Sequence, residues 1–494
     1  MVAGFLLLRY HDSFAIRERG LLENVVILGA GPGGLAAGHY LGSSGIRPLV
    51  LEKLSYVAGL CHTQVRDGFR FDIGGHRWFT KNEELNRWFL KLMEGELVRV
   101  HRISRIYFDG KYYHYPIRIS NVLRNTGIIS SARALASYAA AGFRSFRDSL
   151  EPINMEDAYV RQFGRKLYEM FFQQYSEKVW GRACTEISAD WVQQRTRGLS
   201  VLSALRDAMV GSRASVESLI DEFWYPRLGY SRICDRMAED IMNTGGRVCL
   251  NSNVLSVMHD GSTVLGVKYR APDGQEKYVQ AEAVISSIPL TVLIRNLQPA
   301  PPPEILEAAR GLLFRDLITV NIMLDRPRVT SDTWLYIHDR DIPFARLHEP
   351  KNWSADMAPP GKTSLVAEIF CTIGDEMWSR SDEALCELTV HHLAESLKFI
   401  RRDEVIGAFA FRAPQAYPVY GLDYGQHLKK IKNYIAGIRN LQIIGRGGTF
   451  RYNNSDHSIE MGLLAARNLL GGRHRIDAVN EEQEYLEEKR VQAR

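Results

Sequence analysis

Apolar and polar positions follow two rhythms along this chain, and each change of rhythm marks an element. Asn24 to Leu28 is a tight apolar run. Gly29-Ala30-Gly31-Pro32-Gly33-Gly34 interrupts it, and a helical period then runs from Leu35 to Leu41. Gly42 to Gly45 breaks that helix, and a second apolar run from Arg47 to Leu51 ends in Glu52. Strand, glycine loop, helix, strand and acid, in that order, open a dinucleotide-binding unit. Arg99 to Pro116 reads as paired strands about an Asp109-Gly110 turn. From Ser120 to about Ser218 the pattern is mostly helical. Strands are predicted at Arg247–Asn251, Val254–Met258 and Val264–Tyr269, with turns at Asp260-Gly261 and Asp273-Gly274. More follow at Ala283–Ile288, Leu317–Leu324, Trp334–Ile337, Ser364–Phe370 and Leu441–Gly445. A last helix spans Ile459–Leu470 and closes on Gly471-Gly472. The first strand and the one at Leu441 read as parts of a single sheet, which makes the nucleotide unit discontinuous.

Composition removes whole classes. With 494 residues, 45% apolar and 24% charged, the chain is a large folded protein and not a disordered one. A net charge of +5 is too small over this length to imply nucleic acid. Six scattered cysteines form no C-x-x-C pair, which points away from a disulfide scaffold or zinc site and toward a reducing cytoplasm. No metal-ligating, serine-hydrolase or Walker A motif occurs. Val2 to Leu8 is apolar but lacks a basic start and a cleavage site, so residues 1–21 read as an N-terminal extension. No run reaches the ~20 apolar residues of a membrane span. Charge is uneven, however. Arg99, Arg102, Arg105, Lys111, Arg118, Arg124, Arg133, Arg144 and Arg147 face Asp109 alone, which reads as a solvated basic face or as one that attracts an anionic small molecule or, peripherally, a lipid surface.

The glycine loop carries the first specific chemistry. Gly29, Gly31 and Gly34 fit G-x-G-x-x-G, with Gly33 beside them. The first glycine permits a tight turn, the second lets backbone approach a pyrophosphate, and the third lets helix and strand pack closely. The helix N-terminus presents unpaired N–H groups to the phosphates. Glu52, followed by Lys53, lies about 20 residues on, where an acid meets a ribose hydroxyl. Ala58-Gly59-Leu60 just beyond favours FAD among the dinucleotides. Ser252-Asn253-Val254 leads a strand pair, where a backbone group at Val254 would hold the adenine.

With Gly445-Arg446 these residues resemble the FAD-binding superfamily of amine oxidases, protoporphyrinogen oxidases and UDP-galactopyranose mutases. Four segments are similar to the mutases in particular. Gly74-Gly75-His76-Arg77-Trp78-Phe79-Thr80 resembles the histidine loop that lies against the flavin. Phe163 to Gly181 resembles the uridine-holding segment. Ile342 to Arg346 resembles the segment with a diphosphate-binding arginine. Gly445 to Tyr452, followed by Asp456, resembles the C-terminal flavin segment. The order holds across most of residues 24–472. Val179 and Asn454-Ser455-Asp456 depart from the bacterial pattern.

The resemblance implies an α/β fold: a discontinuous Rossmann-like FAD-binding domain over 22–96, 230–290 and 438–475. A helical insertion covers 119–229, an antiparallel β-sheet substrate domain covers 97–118 and 291–437, and a charged tail covers 476–494. It implies FAD held by the glycines, Glu52, Lys53, Gly59, Leu60, Gly74, Gly75, His76, Val254, Gly445, Arg446 and the helix start Asp456-His457-Ser458-Ile459. It further implies a mutase that interconverts pyranose and furanose forms of a nucleotide-linked sugar through an N5 adduct of reduced flavin, with NAD(P)H as an external reductant. Arg346, Arg195 and His76 would then be catalytic. Phe172, Tyr175, Trp180, Arg195, Arg346, Tyr417 and Tyr452 would hold substrate. The shared FAD frame keeps a second reading open, an FAD-dependent oxidase, dehydrogenase or desaturase. The sequence carries no signal for oligomeric state.

Overall fold

The computed structural model describes residues 22–115, 121, 125, 133–134, 136–142, 151–196 and 222–480, without the side chains of 194–196. The N-terminal extension, residues 481–494 of the tail, the Arg195 side chain, Arg118, Arg124, Arg144 and Arg147 lie outside the described residues.

Val25–Leu28 is buried at every position, as a strand covered on both faces requires. It is the middle of a five-stranded parallel sheet ordered Leu441–Ile443, Ala283–Ser286, Val25–Leu28, Leu49–Leu51, Arg247–Cys249. The late strand does join the sheet of the first, one place removed, because Ala283–Ser286 lies between them. The glycine-loop helix, Pro32–Ser43, packs between Arg232–Asn243 and the last helix, Ser455–Leu469. Its backbone touches that of the last helix: a Cβ on Gly462 would stand 2.1 Å from the Gly33 carbonyl oxygen.

Beside this layer lies a four-stranded sheet of Glu276–Gln280, Val264–Arg270, Asn253–His259 and Leu297–Gln298. Farther out is a seven-stranded sheet ordered Val405–Pro418, Phe314–Leu324, Thr363–Cys371, Arg346–His348, Trp334–Ile337, Ser104–Phe108, Lys111–His114. This sheet is mixed and not wholly antiparallel as expected, since Trp334–Ile337 runs parallel to Ser104–Phe108. The two strands come from distant parts of the chain, so no hairpin turn dictates their direction. One face is apolar (Ile318, Val320, Ile322, Leu365, Ala367, Ile369) and shares a core with Leu385 and Val390 of the helix Asp382–His391. The other carries Thr319, Glu368 and Arg346 in one row across three strands.

Part of the basic stretch is engaged within the fold. Arg99 pairs with Glu222 at 2.7 Å and Arg105 with Asp332 at 2.8 Å, while Arg102 stacks 5.4 Å over Tyr115. All six cysteines are free thiols. Among the described residues no helix is long and apolar enough to cross a membrane, and no group of histidine, cysteine and carboxylate side chains is arranged to hold a metal.

The close crossing at Gly33 and Gly462 gives a direct expectation. Gly462→Ala should destabilise the protein by about 1–3 kcal/mol through overpacking and reduce the FAD bound per chain. Gly425→Ala, in a helix where an added Cβ meets nothing within 4 Å, should leave both unchanged. Thermal unfolding and the flavin absorbance of purified protein measure the two effects.

Candidate functional site

The glycines around the first strand each answer a different contact. Gly29 has φ +95° and its amide donates to the Leu51 carbonyl at 2.8 Å. A Cβ on Gly34 would stand 2.1 Å from the Gly29 carbonyl oxygen, and one on Gly33 2.8 Å from that of Ser458. A Cβ on Gly31 would meet nothing within 4 Å. Gly31 caps the helix without a side-chain hydrogen bond, so open space lies in front of the unpaired N–H groups. Gly59 closes over this space, its own Cβ position 3.7 Å from the Gly31 Cα, and Ala58 N–H donates to the Ala30 carbonyl at 2.8 Å. The result is a narrow, glycine-walled cradle at a positive helix end, which fits a pyrophosphate.

Glu52 is buried beside it. Its carboxylate accepts from Ala30 N–H at 2.8 Å and Leu54 N–H at 2.9 Å. A carboxylate offers about four lone-pair sites, so two remain for ribose hydroxyls. Lys53 is exposed. Ser252 N–H donates to the Glu52 carbonyl at 2.7 Å, which sets Val254 on the strand entering from this side.

The histidine loop lies between the two large layers. Gly74 has φ +82°, and a Cβ on Gly75 would stand 2.0 Å from Trp334 Nε1. His76 stacks on Tyr230 with ring centres 5.0 Å apart. Tyr230 donates to the Arg77 carbonyl at 3.1 Å and shares a 2.6 Å hydrogen bond with Ser455 Oγ at the start of the last helix. Burial, and then the nearby Arg446 charge, push His76 down to about 3, and its buried Nδ1 has no partner within the protein. A neutral imidazole with a buried, unsatisfied nitrogen fits a hydrogen bond to a bound cofactor. Asn454 caps the last helix, where Asp456, His457, Ser458 and Ile459 are buried. Burial pushes the Asp456 carboxyl up, against the pull of His457.

The substrate-side residues hang from the helical segment and the seven-stranded sheet. Residues 165–180 are helical, widened by a π turn over Glu169–Gln173, and end at Gly181 with φ +64°. Arg315 anchors that end: Nε donates to the Val179 carbonyl at 3.0 Å, Nη2 to the Phe370 carbonyl at 2.9 Å and Nη1 to Thr372 Oγ1 at 2.6 Å. Trp180 is thereby held edge-on to Trp191 at 4.9 Å, and Trp191 meets Tyr452 at 4.6 Å. Tyr452 stacks on Tyr417 at 5.6 Å. Arg446 lies over both tyrosine rings at 5.1 and 5.0 Å, tied by Nε to the Asn453 carbonyl. Arg346 lies over Phe370 at 4.7 Å, and its Nη2 donates to Tyr417 Oη at 3.1 Å. Tyr175 stacks on His338 at 4.7 Å; burial pushes its phenol well up, while the Arg346 charge pulls it down.

Trp180, Arg346, Tyr417, Tyr452 and Arg446 thus form one linked group. Phe172 instead stacks between Tyr159 and Phe163, at 4.5 and 4.8 Å. Arg195 belongs to the helix Asp190–Thr196, its side chain beyond the described residues. Glu368, Tyr230, Trp191, Asp72 and His348 belong to the same surroundings without lying in a recognisable motif. Glu368 had a legible signal: it is a lone acid inside Thr363–Cys371, a strand buried at all positions. Asp72 is buried too, accepting from Thr63 Oγ1 at 2.6 Å, Tyr225 Oη at 2.6 Å and Tyr230 N–H at 3.1 Å.

The fold and this site define a flavoprotein. Residues 32–470 match the model of the flavin containing amine oxidoreductase family, and the chain belongs to that family. It is a flavin-dependent enzyme, and its cofactor is FAD. It is 24% identical over 394 residues to phytoene desaturase of Neurospora crassa, covering 70% of this chain and 65% of the relative. It is 24% identical over 232 residues to a probable UDP-galactopyranose mutase of Klebsiella pneumoniae, covering 44% of this chain and 53% of the relative. The chain therefore matches between about half and two thirds of the length of these two relatives. The solved structure of reduced UDP-galactopyranose mutase superposes with a TM-score of 0.80 at 20% identity, covering 94% of this chain and 99% of that one. A protoporphyrinogen oxidase-like structure from Exiguobacterium sp. 255-15 gives 0.69 at 16% identity, covering 91% and 98%.

His76 supplies a pH expectation. Unfolded, it takes up a proton near 6.5; folded, it does so only at about 3, so its contribution to stability declines as pH falls below 6.5. In a histidine-selective 15N NMR titration, His76 should stay neutral from about pH 8 down to about pH 5.

Proposed function

We propose that this enzyme interconverts the pyranose and furanose rings of a nucleotide-linked sugar. The observation that carries the reading is the pair of guanidiniums, Arg346 and Arg446, flanking the Tyr417–Tyr452 stack beside the histidine loop. Two half-buried cations in an aromatic wall suit an anionic substrate with flat groups. They would be costly around an apolar polyene, which offers them no hydrogen bonds.

Reduced FAD supplies a nucleophilic nitrogen at the anomeric carbon, in a redox-neutral reaction. The protein's own tasks are then three. Arg346 takes up the charge that develops on the departing diphosphate, and Arg446 adds to the positive potential there. Tyr175, Trp180, Tyr417 and Tyr452 give the nucleotide and sugar flat surfaces and hydroxyls. His76, neutral, offers a hydrogen bond at the cofactor without adding charge. Arg195 is the second candidate clamp on the diphosphate.

The other reading is an FAD-dependent oxidoreductase, supported by the longer match to the Neurospora desaturase. Dithionite-reduced enzyme given UDP-galactopyranose, and then dTDP- and GDP-sugars, separates the two. A furanose product is expected, with Arg346→Ala lowering turnover about 10²–10³-fold. No furanose from any of these sugars, together with flavin reduction by an organic substrate in the absence of NAD(P)H, would overturn the mutase reading.

A further inference from the structure

Glu368 is fully buried in the middle of the seven-stranded sheet and carries its charge between two functional groups. Its Oε2 lies 3.2 Å from Arg346 Nε. Its Oε1 accepts the Gly75 N–H at 3.2 Å and lies 3.5 Å from His348 Nδ1. A Cβ on Gly74 would reach within 3.4 Å of the same carboxylate. One oxygen therefore addresses the anion-binding arginine, and the other addresses the backbone of the loop that carries His76. Burial alone would raise this acid; the Arg346 charge, followed by His348 and the Gly75 N–H, holds it at about 2. It is a carboxylate at any working pH.

We propose that Glu368 is a positioning residue that transmits occupancy of the anion site at Arg346 to the Gly74-Gly75-His76 loop. An incoming anion and Glu368 compete for one guanidinium. As Arg346 turns to the anion, the carboxylate loses its strongest partner. Its charge is buried and must be satisfied, so its hydrogen bond to Gly75 N–H strengthens. The loop is drawn toward the sheet, and His76 moves with it. The assignment rests on the reading of Arg346 as a phosphate clamp.

Glu368→Gln separates this role from simple packing. It keeps size and shape, but an amide accepts on one oxygen and donates from its nitrogen. It can satisfy the arginine or the loop, not both. The FAD-loaded wild type and variant are titrated with UDP and with inorganic pyrophosphate. Calorimetry reads affinity, flavin absorbance reads the cofactor, and amide exchange over residues 73–79 reads the loop.

In the wild type both anions should alter the flavin spectrum and slow exchange over 73–79. In Glu368→Gln, UDP should bind within about tenfold of the wild-type affinity, with both responses reduced to less than about a third. Equal responses in wild type and variant would overturn the coupling and leave the proposed function standing. Loss of UDP binding by an FAD-loaded variant would make Glu368 part of the anion site itself, and would also overturn the coupling. A wild type that binds neither anion would overturn the anion-site reading and the coupling together. If the variant fails to retain FAD, the wild type alone decides: pyrophosphate binding with unchanged exchange over 73–79 defeats the proposal.

Discussion

A guanidinium and a carboxylate buried side by side set the terms for the rest of this site. Removing either ion from water costs several kcal/mol, and stranding one by losing its partner costs about 3–5 kcal/mol. Arg346 and Glu368 avoid that penalty only if three strands and one loop keep register. Glu368 sits directly across from Arg346 in the sheet pairing. Tyr417 accepts from Arg346 from the far edge strand, and Gly75 donates to Glu368 from the histidine loop. The large sheet and the flavin-side loop are therefore joined by charge as well as by apolar packing.

The nucleotide side is governed by the opposite device, an absence of side chains. At Gly33, Gly34 and Gly462 backbones approach more closely than any Cβ allows, and at Gly29 the Ser287 hydroxyl does. At Gly31 the missing side chain leaves room for a ligand. Glycines in one loop thus do two different jobs, and only contacts to residues such as Ser458 and Ser287 tell them apart. Tyr230 joins the two sides, stacked on His76 and hydrogen-bonded to the last helix.

The legible parts of this protein are those whose meaning is local. Gly29 to Glu52 could be read because loop, helix and acid lie in one short stretch with one period. Arg346, Tyr417 and Tyr452 were legible through family resemblance, and the structure groups them with Arg446. Glu368 and Tyr230 were not, because their partners are remote: Gly75 and Glu368 are 293 residues apart, and Tyr230 and Ser455 are 225 apart. The longest strand among the described residues, Val405–Pro418, also escaped. It contains Pro414, which normally argues against a strand. Here the ladder shifts register between Arg315 and Leu317, and Gln415 adopts φ +54°, so the proline sits at a bulge. Thr63–Arg66 and Phe69–Asp72 escaped for a different reason: each strand of this hairpin has only 4 residues, too few to show a period.

The parallel sheet has a consequence for how the molecule is made. Val25–Leu28 is synthesised long before one of its two neighbours, Ala283–Ser286, and before the strand beyond it, Leu441–Ile443. The glycine loop also waits for the last helix, whose Ser458 carbonyl closes on Gly33. Such pairings bear a large loop-closure entropy before any contact rewards them, which makes folding slow. On the ribosome, the opening strand and glycine loop must remain without their final cover until nearly all of the described chain has emerged. Cofactor capture by the completed cradle is therefore a late event of biosynthesis, and a strand left waiting for its partners is open to aggregation.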